Sequence, residues 1–314
     1  MAYFRCGGNG NTIMIDGQEY DDDLNLVKEN FIYIPYPNLP VTDYNFVVVS
    51  HRDIIYVFGG SNRRDAYMYD TKNVVNKWQK INDLPYELNS NLGSAIVFNN
   101  EIYIIGCDVD RRTVYKFTMD NGGKYTLVTT TPYDCKGSSF VVLNGELHML
   151  GGFNNNYAHY KFNGTSWNAE GNIPYPFSGS SAVVLNDEIH VLGSNIYYNG
   201  SGSSHYTKHY KWKENNGWSN VSILPHDFYE KTAIVFHNEI YLLGVADGTI
   251  AGRFKHYKFN GKSWNNVNIL QGAGSRNCAI PYNDGIFILP SKHTGGSSAD
   301  SNECGIITDV FIKR

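Results

Sequence analysis

Ten histidines and five cysteines are the side chains in this sequence best suited to metal or nucleophilic chemistry, and their spacing argues against both. His159, His209 and His256 each precede a Tyr-Lys-aromatic triplet. Recurrence at one position marks a feature of a repeat rather than a ligand set. His205 and His209 are four apart, a spacing that presents two ligands together only on a helix, and no helix is expected there. Cys6, Cys107, Cys135, Cys278 and Cys304 are scattered and odd in number, with no C-x-x-C pair. This favours a reducing compartment over a zinc site or a disulfide framework. Glu101, Glu146, Glu188 and Glu239 each follow an expected hairpin turn and read as solvated. Asp21-Asp22-Asp23 does not have the alternation of a calcium loop. No Gly-rich phosphate loop, serine elbow or Cys/His signature is present. The expectation is no metal, no cofactor and no recoverable catalytic set.

Composition sets the elements that must carry any site. Of 314 residues, 42% are apolar, 18% charged and 14% aromatic, with 24 Tyr and 31 Gly. This suits many short strands joined by tight turns. A net charge of −4 gives no basic footprint for nucleic acid. No apolar run is long enough for a membrane span. Met1–Gly8 lacks the apolar core of a secretory signal, so a cytoplasmic location, or assembly into a larger particle, is expected.

One phrase returns six times: it starts at Ile55, Ile102, Leu147, Ile189, Ile240 and Ile286 and runs as in Ile55-Tyr56-Val57-Phe58-Gly59-Gly60. Each copy is apolar on both alternating faces, so each strand must be covered on both sides. An apolar run and a two-residue turn precede each copy, as in Phe140–Leu143 followed by Asn144-Gly145, giving a hairpin of strands a and b. Strand c follows, as in Tyr160-Lys161-Phe162, with one buried and one wet face. Strand d opens on an aromatic with a proline seven residues on: Trp78/Pro85, Tyr125/Pro132, Trp167/Pro174 and Trp218/Pro225. The last repeat stops at Val310-Phe311-Ile312 without a strand d, while Tyr33 and Pro40 form an unattached copy at the other end. Pairing the two ends leaves no bare edge.

The Gly59-Gly60 and Gly151-Gly152 doublets, with the later Tyr and Trp, resemble the kelch repeat over about residues 29–314. The resemblance implies an all-β, six-bladed kelch-type β-propeller with four antiparallel strands per blade, the last blade closed by the N-terminal strand. Residues 1–28 stand outside it as a hairpin or attachment segment. Met1–Gly8 also resembles the N-termini of phage-tail or prophage-encoded adhesion proteins, which implies docking to an assembly through 1–28. Some kelch-like proteins are copper oxidases, iron-dependent specifier proteins or sialic-acid mutarotases. The Cys–Tyr copper arrangement and the Glu-x3-Asp-x3-His iron pattern are not found in this sequence.

If strand a runs downward, the b–c loops and d–a links share the upper face. The longest b–c loops fall at 195–209, 246–256 and 292–309, and loops of that length are usually functional. Tyr86, Tyr133 and Tyr175 recur at one repeat position and read as structural. Tyr197, Tyr198, Tyr229, Arg276, His226, Asp227, Phe177 and His293 form the candidate ligand-binding set, able to stack on a sugar or grip a partner protein. The expected function is non-enzymatic recognition of a glycan or protein. The alternative is a carbohydrate epimerase or mutarotase with Arg276, Asp227, Glu230 and His226 at the channel mouth.

Overall fold

The computed structural model describes residues 12–15, 18–21, 26–28, 31–41, 46–60, 63–72, 77–88, 93–106, 111–153, 157–198, 202–225, 232–246, 254–267, 279–283, 285–289 and 304–309. The chain begins with a three-stranded antiparallel sheet, β1 (Thr12–Ile15), β2 (Gln18–Asp21) and β3 (Leu26–Lys28), followed by β4 (Phe31–Tyr36). The first blade is β5 (Phe46–His51), β6 (Ile54–Gly59), β7 (Ala66–Asp70) and β8 (Gln79–Ile81). The second is β9 (Ser94–Phe98), β10 (Glu101–Ile105), β11 (Thr113–Thr118) and β12 (Lys124–Thr130). The third is β13 (Ser139–Leu143), β14 (Glu146–Leu150), β15 (Ala158–Phe162) and β16 (Trp167–Asn172). The fourth is β17 (Ser181–Leu185), β18 (Glu188–Tyr198), β19 (Gly202–Lys213) and β20 (Gly217–Ile223). The fifth is β21 (Thr232–Phe236), β22 (Glu239–Ala246), β23 (Phe254–Phe259) and β24 (Trp264–Val267).

The expectation of a six-bladed propeller is corrected here. Blades made of four consecutive strands number five, not six. The remaining four-stranded sheet is a composite: β25 (Ala279–Tyr282), β26 (Gly285–Ile288) and β27 (Cys304–Asp309) are completed by β4. The C-terminal repeat supplies only three strands, so the outer edge of β27 takes its hydrogen bonds from the N-terminal segment. Tyr33 lies opposite Ile307, and the pairing runs from Cys304↔Tyr36 to Asp309↔Phe31. Phe311, expected beside Tyr33, lies outside the described residues. The inner strands β5, β9, β13, β17, β21 and β25 each contact the next, and β25 contacts β5, so the ring is closed.

Local chemistry explains the strands. The a–b turns carry positive φ at both central residues: Asn99 and Asn100 at 49° and 59°, Asn144 and Gly145 at 52° and 74°. That matches the tight hairpin turn whose twist follows the strands. Arg52-Asp53 and His237-Asn238 adopt the same conformation. In the c–d turns, Asn163 Oδ1 accepts the Thr165 and Ser166 amides, and Asn260 Oδ1 those of Lys262 and Ser263. The glutamates after the a–b turns are not simply solvated. Lys116–Glu101, Lys161–Glu146, Lys211–Glu188 and Lys258–Glu239 pair across strands b and c at 3.1, 3.1, 2.8 and 3.2 Å. In the first blade the same two positions hold Ile54 and Met68.

Apolar clusters fill the seams between sheets. The closing seam joins Phe46, Ile55, Tyr69 and Trp78 to Tyr282, Phe287 and Leu289, and Trp78 donates its indole N–H to Pro37 O at 2.8 Å. The d–a links of the first and third blades cross the end of their own strand b to reach the next inner strand. The double glycine receives that crossing. Gly60 N–H donates to Leu88 O and Gly152 N–H to Phe177 O, both at 2.9 Å. A Cβ on Gly59 or Gly151 would stand 1.8 Å from the same carbonyl oxygen, and φ is +72° and +58°. Both constraints admit only glycine. Gly151→Ala is expected to destabilise the protein by at least about 2 kcal/mol. Gly145→Ala shares a positive φ but meets no atom within 4 Å, and is expected to cost about 1 kcal/mol. Chemical denaturation of the two variants checks the order.

Candidate ligand-binding site at the channel mouth

The six inner strands start on one face, and their first residues converge on the axis. Convergence demands small side chains, and the positions hold Gly93, Ser94 and Ala95, then Ser138 and Ser139, Ser180 to Ala182, Thr232 and Ala233, and Ala279. With Phe46, Val47, Val48 and Phe140 they line a cavity of about 210 Å³. None of the described lining residues is ionisable. Several hydroxyls are committed as donors: Ser138 Oγ to Gly151 O and Ser139 Oγ to Ser180 O, both at 2.7 Å, and Ser180 Oγ to Leu192 O. A hydroxyl that donates inward keeps its oxygen as an acceptor, so the collar favours a ligand bringing O–H or N–H donors.

The rim around this mouth is polar and braced. Arg111 grips Asp134 through Nε and Nη2, the shortest contact being 2.7 Å, while Arg112 caps Thr131 O and Pro132 O. The first blade repeats the device: Arg63 pairs with Asp65 at 2.8 Å and Arg64 caps Leu84 O. Burial opposes ionisation of Asp134, but hydrogen bonds from Arg111 and the Lys136 amide outweigh it and hold the carboxyl below its ordinary range. Lys136 lies over the Phe153 ring, 5.1 Å from its centroid. Tyr86 and Tyr157 are exposed.

Tyr133 and Tyr175 are structural. Each reaches forward from its link to the next blade, donating to Gly151 O at 2.7 Å and Gly193 O at 3.0 Å. Burial pushes both phenols well above the ordinary tyrosine range. Tyr86, at the same repeat position, is 46% exposed.

The candidate residues do not all assemble. Phe177 is corrected from surface to core: it is fully buried among Tyr175, Ile189 and Trp212 and contributes its carbonyl to the glycine doublet. The segment read as a long loop at 195–209 is instead the far half of a hairpin, in which β18 and β19 stay paired out to Tyr198↔Gly202. Positions 197 and 198 therefore lie at the end of a hydrogen-bonded arm. A shorter extension pairs Ala246 with Phe254 in the fifth blade. Tyr229, Arg276, His226, Asp227, Glu230 and His293 lie outside the described residues. The collar serines and the two Arg-Arg pairs were missed. Their signal was present, because Ser94, Ser139, Ser181 and Thr232 recur at the first position of successive inner strands.

The repeat histidines sit in the seams. His159, His209 and His256 are buried, and His148 and His190, which the repeat reading passed over, join two of them. His148 Nδ1 lies 2.8 Å from His159 Nε2, and His190 Nδ1 2.8 Å from His209 Nε2. No group of three metal-ligating side chains occurs among the described residues.

Residues 44–85, the four strands of the first blade and the start of its link, match the family model described as Kelch motif. A solved structure titled "Structure of YjhT" aligns at a TM-score of 0.71 and 15% identity, covering 88% of this chain and 98% of that one. The fold is a kelch-repeat β-propeller. No curated protein matches the sequence.

Two outcomes follow for the propeller. Burial lowers His159 and His209 to about 3 and His190 to about 4. An unfolded chain with imidazoles near about 6.5 binds more protons below that pH, so their contribution is complete above about pH 6.5 and is lost as pH falls toward 4. The apparent Tm is expected to drop over that window, and His159→Phe with His209→Phe to flatten the slope above about pH 5, before carboxylates titrate. Tyr175→Phe removes a buried hydrogen bond and is expected to cost about 1 kcal/mol in denaturant melts.

Proposed function

We propose that this propeller is a non-enzymatic recognition module whose upper face binds a glycan. The observation that carries the reading is the mouth itself: a small, uncharged collar of hydroxyl oxygens that suits the O–H groups of a sugar. Arginine ion pairs and exposed aromatic residues surround it, and a paired arm extends from the fourth blade. Tyr197 and Tyr198 at the end of that arm, with Tyr229 and Arg276 on the links, are assigned to contact the ligand. A loop of a partner protein is the second reading, because a protruding hairpin offers the kind of surface that a protein partner grips.

An epimerase needs acid and base groups at the mouth, and its candidates Arg276, Asp227, Glu230 and His226 lie outside the described residues; the binding reading rests on the hydroxyl collar. The three-stranded sheet β1–β3 is assigned to attachment, such as docking in a phage-like particle, and removal of residues 1–28 would then abolish assembly without altering the melt of the propeller.

Glycan-array binding tests the main reading. Tyr197→Ala, Tyr198→Ala and Tyr229→Ala combined are expected to weaken binding at least about tenfold, the loss of roughly one anchor contact. Ala182→Phe, which narrows the cavity, is expected to do the same at unchanged Tm. Unchanged binding in both variants rejects the site. Anomer or epimer exchange seen by NMR across a sugar panel would instead establish the enzyme.

A further inference from the structure

Two neighbouring seams repeat one ring geometry and differ by a single hydroxyl. Between the fourth and fifth blades, His209 lies 4.9 Å from Phe259 and 5.6 Å from Trp264, ring centre to ring centre. Between the third and fourth, His159 lies 4.9 Å from Trp212 and 5.6 Å from Trp218. The interplanar angles are 81° and 61° in one seam and 86° and 64° in the other. The partner histidine stands 2.8 Å away in both.

The hydrogen bonds complete the comparison. Trp264 Nε1–H donates to Ser222 Oγ at 3.1 Å, and the same oxygen lies 3.0 Å from His209 Nδ1. The serine accepts from the indole and shares a second hydrogen bond with His209 Nδ1, to which it donates when the imidazole proton is on Nε2. In that tautomer His209 Nε2–H donates to His190 Nδ1. One blade earlier, the residue opposite His159 is Gly171, where Ser222 stands opposite His209. The two atoms that Ser222 would serve, His159 Nδ1 and Trp218 Nε1, are buried with no hydrogen-bond partner among the described residues. Trp78 and Tyr125, at the same repeat position, find acceptors on the preceding sheet, Pro37 O and Asn82 O, whereas Trp167 Nε1 finds none among the described residues.

We propose that the seam between the third and fourth blades binds a water molecule beside Gly171, which accepts the Trp218 Nε1–H and donates to His159 Nδ1 in the place of the Ser222 hydroxyl. The chemistry selects water. The site pairs one donor with one neutral acceptor, so a ligand must both accept and donate. The indole N–H repels a cation, and a lone imidazole acceptor offers nothing to an anion. A Cβ built on Gly171 meets no atom within 4 Å, and Gly171 is itself exposed, which gives both room and a route from solvent. Leaving two polar groups unpaired costs more than immobilising one water. The β-bulge at this register, between His159 and Tyr160, has its counterpart between His209 and Tyr210.

A crystal structure with resolved solvent tests this. The expected result is one ordered water within hydrogen-bonding distance of both His159 Nδ1 and Trp218 Nε1, and none between His209 and Trp264. Ser222→Gly is expected to create a second water at the matching place in the next seam. A wild-type seam with both side chains in place and no solvent between them overturns the proposal. So does a Ser222→Gly seam that stays dry. If that variant does not fold, the wild-type crystal decides alone.

Discussion

A peptide carbonyl pressed against a backbone with no Cβ is the contact on which the arrangement of this propeller turns. To advance from one blade to the next, the chain must leave the outer strand and return to the axis over the end of its own strand b. Leu88 O and Phe177 O land 1.8 Å from where a Cβ of Gly59 or Gly151 would be. The next glycine turns the approach into a hydrogen bond. Tyr133 and Tyr175, on the second and third links, reach forward to carbonyls of the following blade. The crossing thus ties the first and third blades to their successors, and it also sets where the next inner strand begins. The channel mouth consists of those beginnings, so its small residues and hydroxyls follow from the same geometry.

Between blades the protein must reconcile apolar packing with buried polar tips. Trp, Tyr and His bring large rings into the seams, and each carries an N–H or O–H that loses water on burial. The solutions differ from seam to seam. Trp78 and Tyr125 use backbone carbonyls, Trp264 uses a serine, and the histidines use one another. Protonating a histidine in this setting would place a charge between rings, and for that reason burial holds His159 and His209 neutral far below their ordinary range. The polar groups therefore fix ring orientation without bringing charge into the seams.

The strands, turns and kelch resemblance were legible because each rests on a local rule repeated several times. Apolar strands covered on both faces, Asn-rich hairpin turns and aromatic-Lys-aromatic outer strands need no tertiary knowledge. The pairing of Tyr33 with the C-terminal strand was legible for a different reason: one end lacked a strand that the other end had spare. What was not legible depended on partners far apart in sequence. Phe177 looked like an irregular surface aromatic, yet its ring fills a seam and its carbonyl meets a glycine doublet. The segment 195–209 looked like a loop because its composition is rich in Ser, Gly and Asn, whereas cross-strand pairing extends the hairpin through most of it. Glu101 and its equivalents looked solvated because the lysine that pairs with each lies on the next strand.

The cavity at the channel mouth was less legible, because the sequence draws attention to exceptions. Residues that broke the repeat were taken as candidates, and residues that kept it were set aside as architecture. In a ring of converging strands that division fails, since every blade contributes the same position to the axis. Ser94, Ser139, Ser181 and Thr232 are repeat positions and also line the mouth. A hydroxyl there suits the crowded axis by size and satisfies its own donor by bonding a neighbouring carbonyl, as Ser139 does with Ser180 O. The residues that close the ring are therefore also the residues that bound the cavity, so that architecture and candidate site share the same positions.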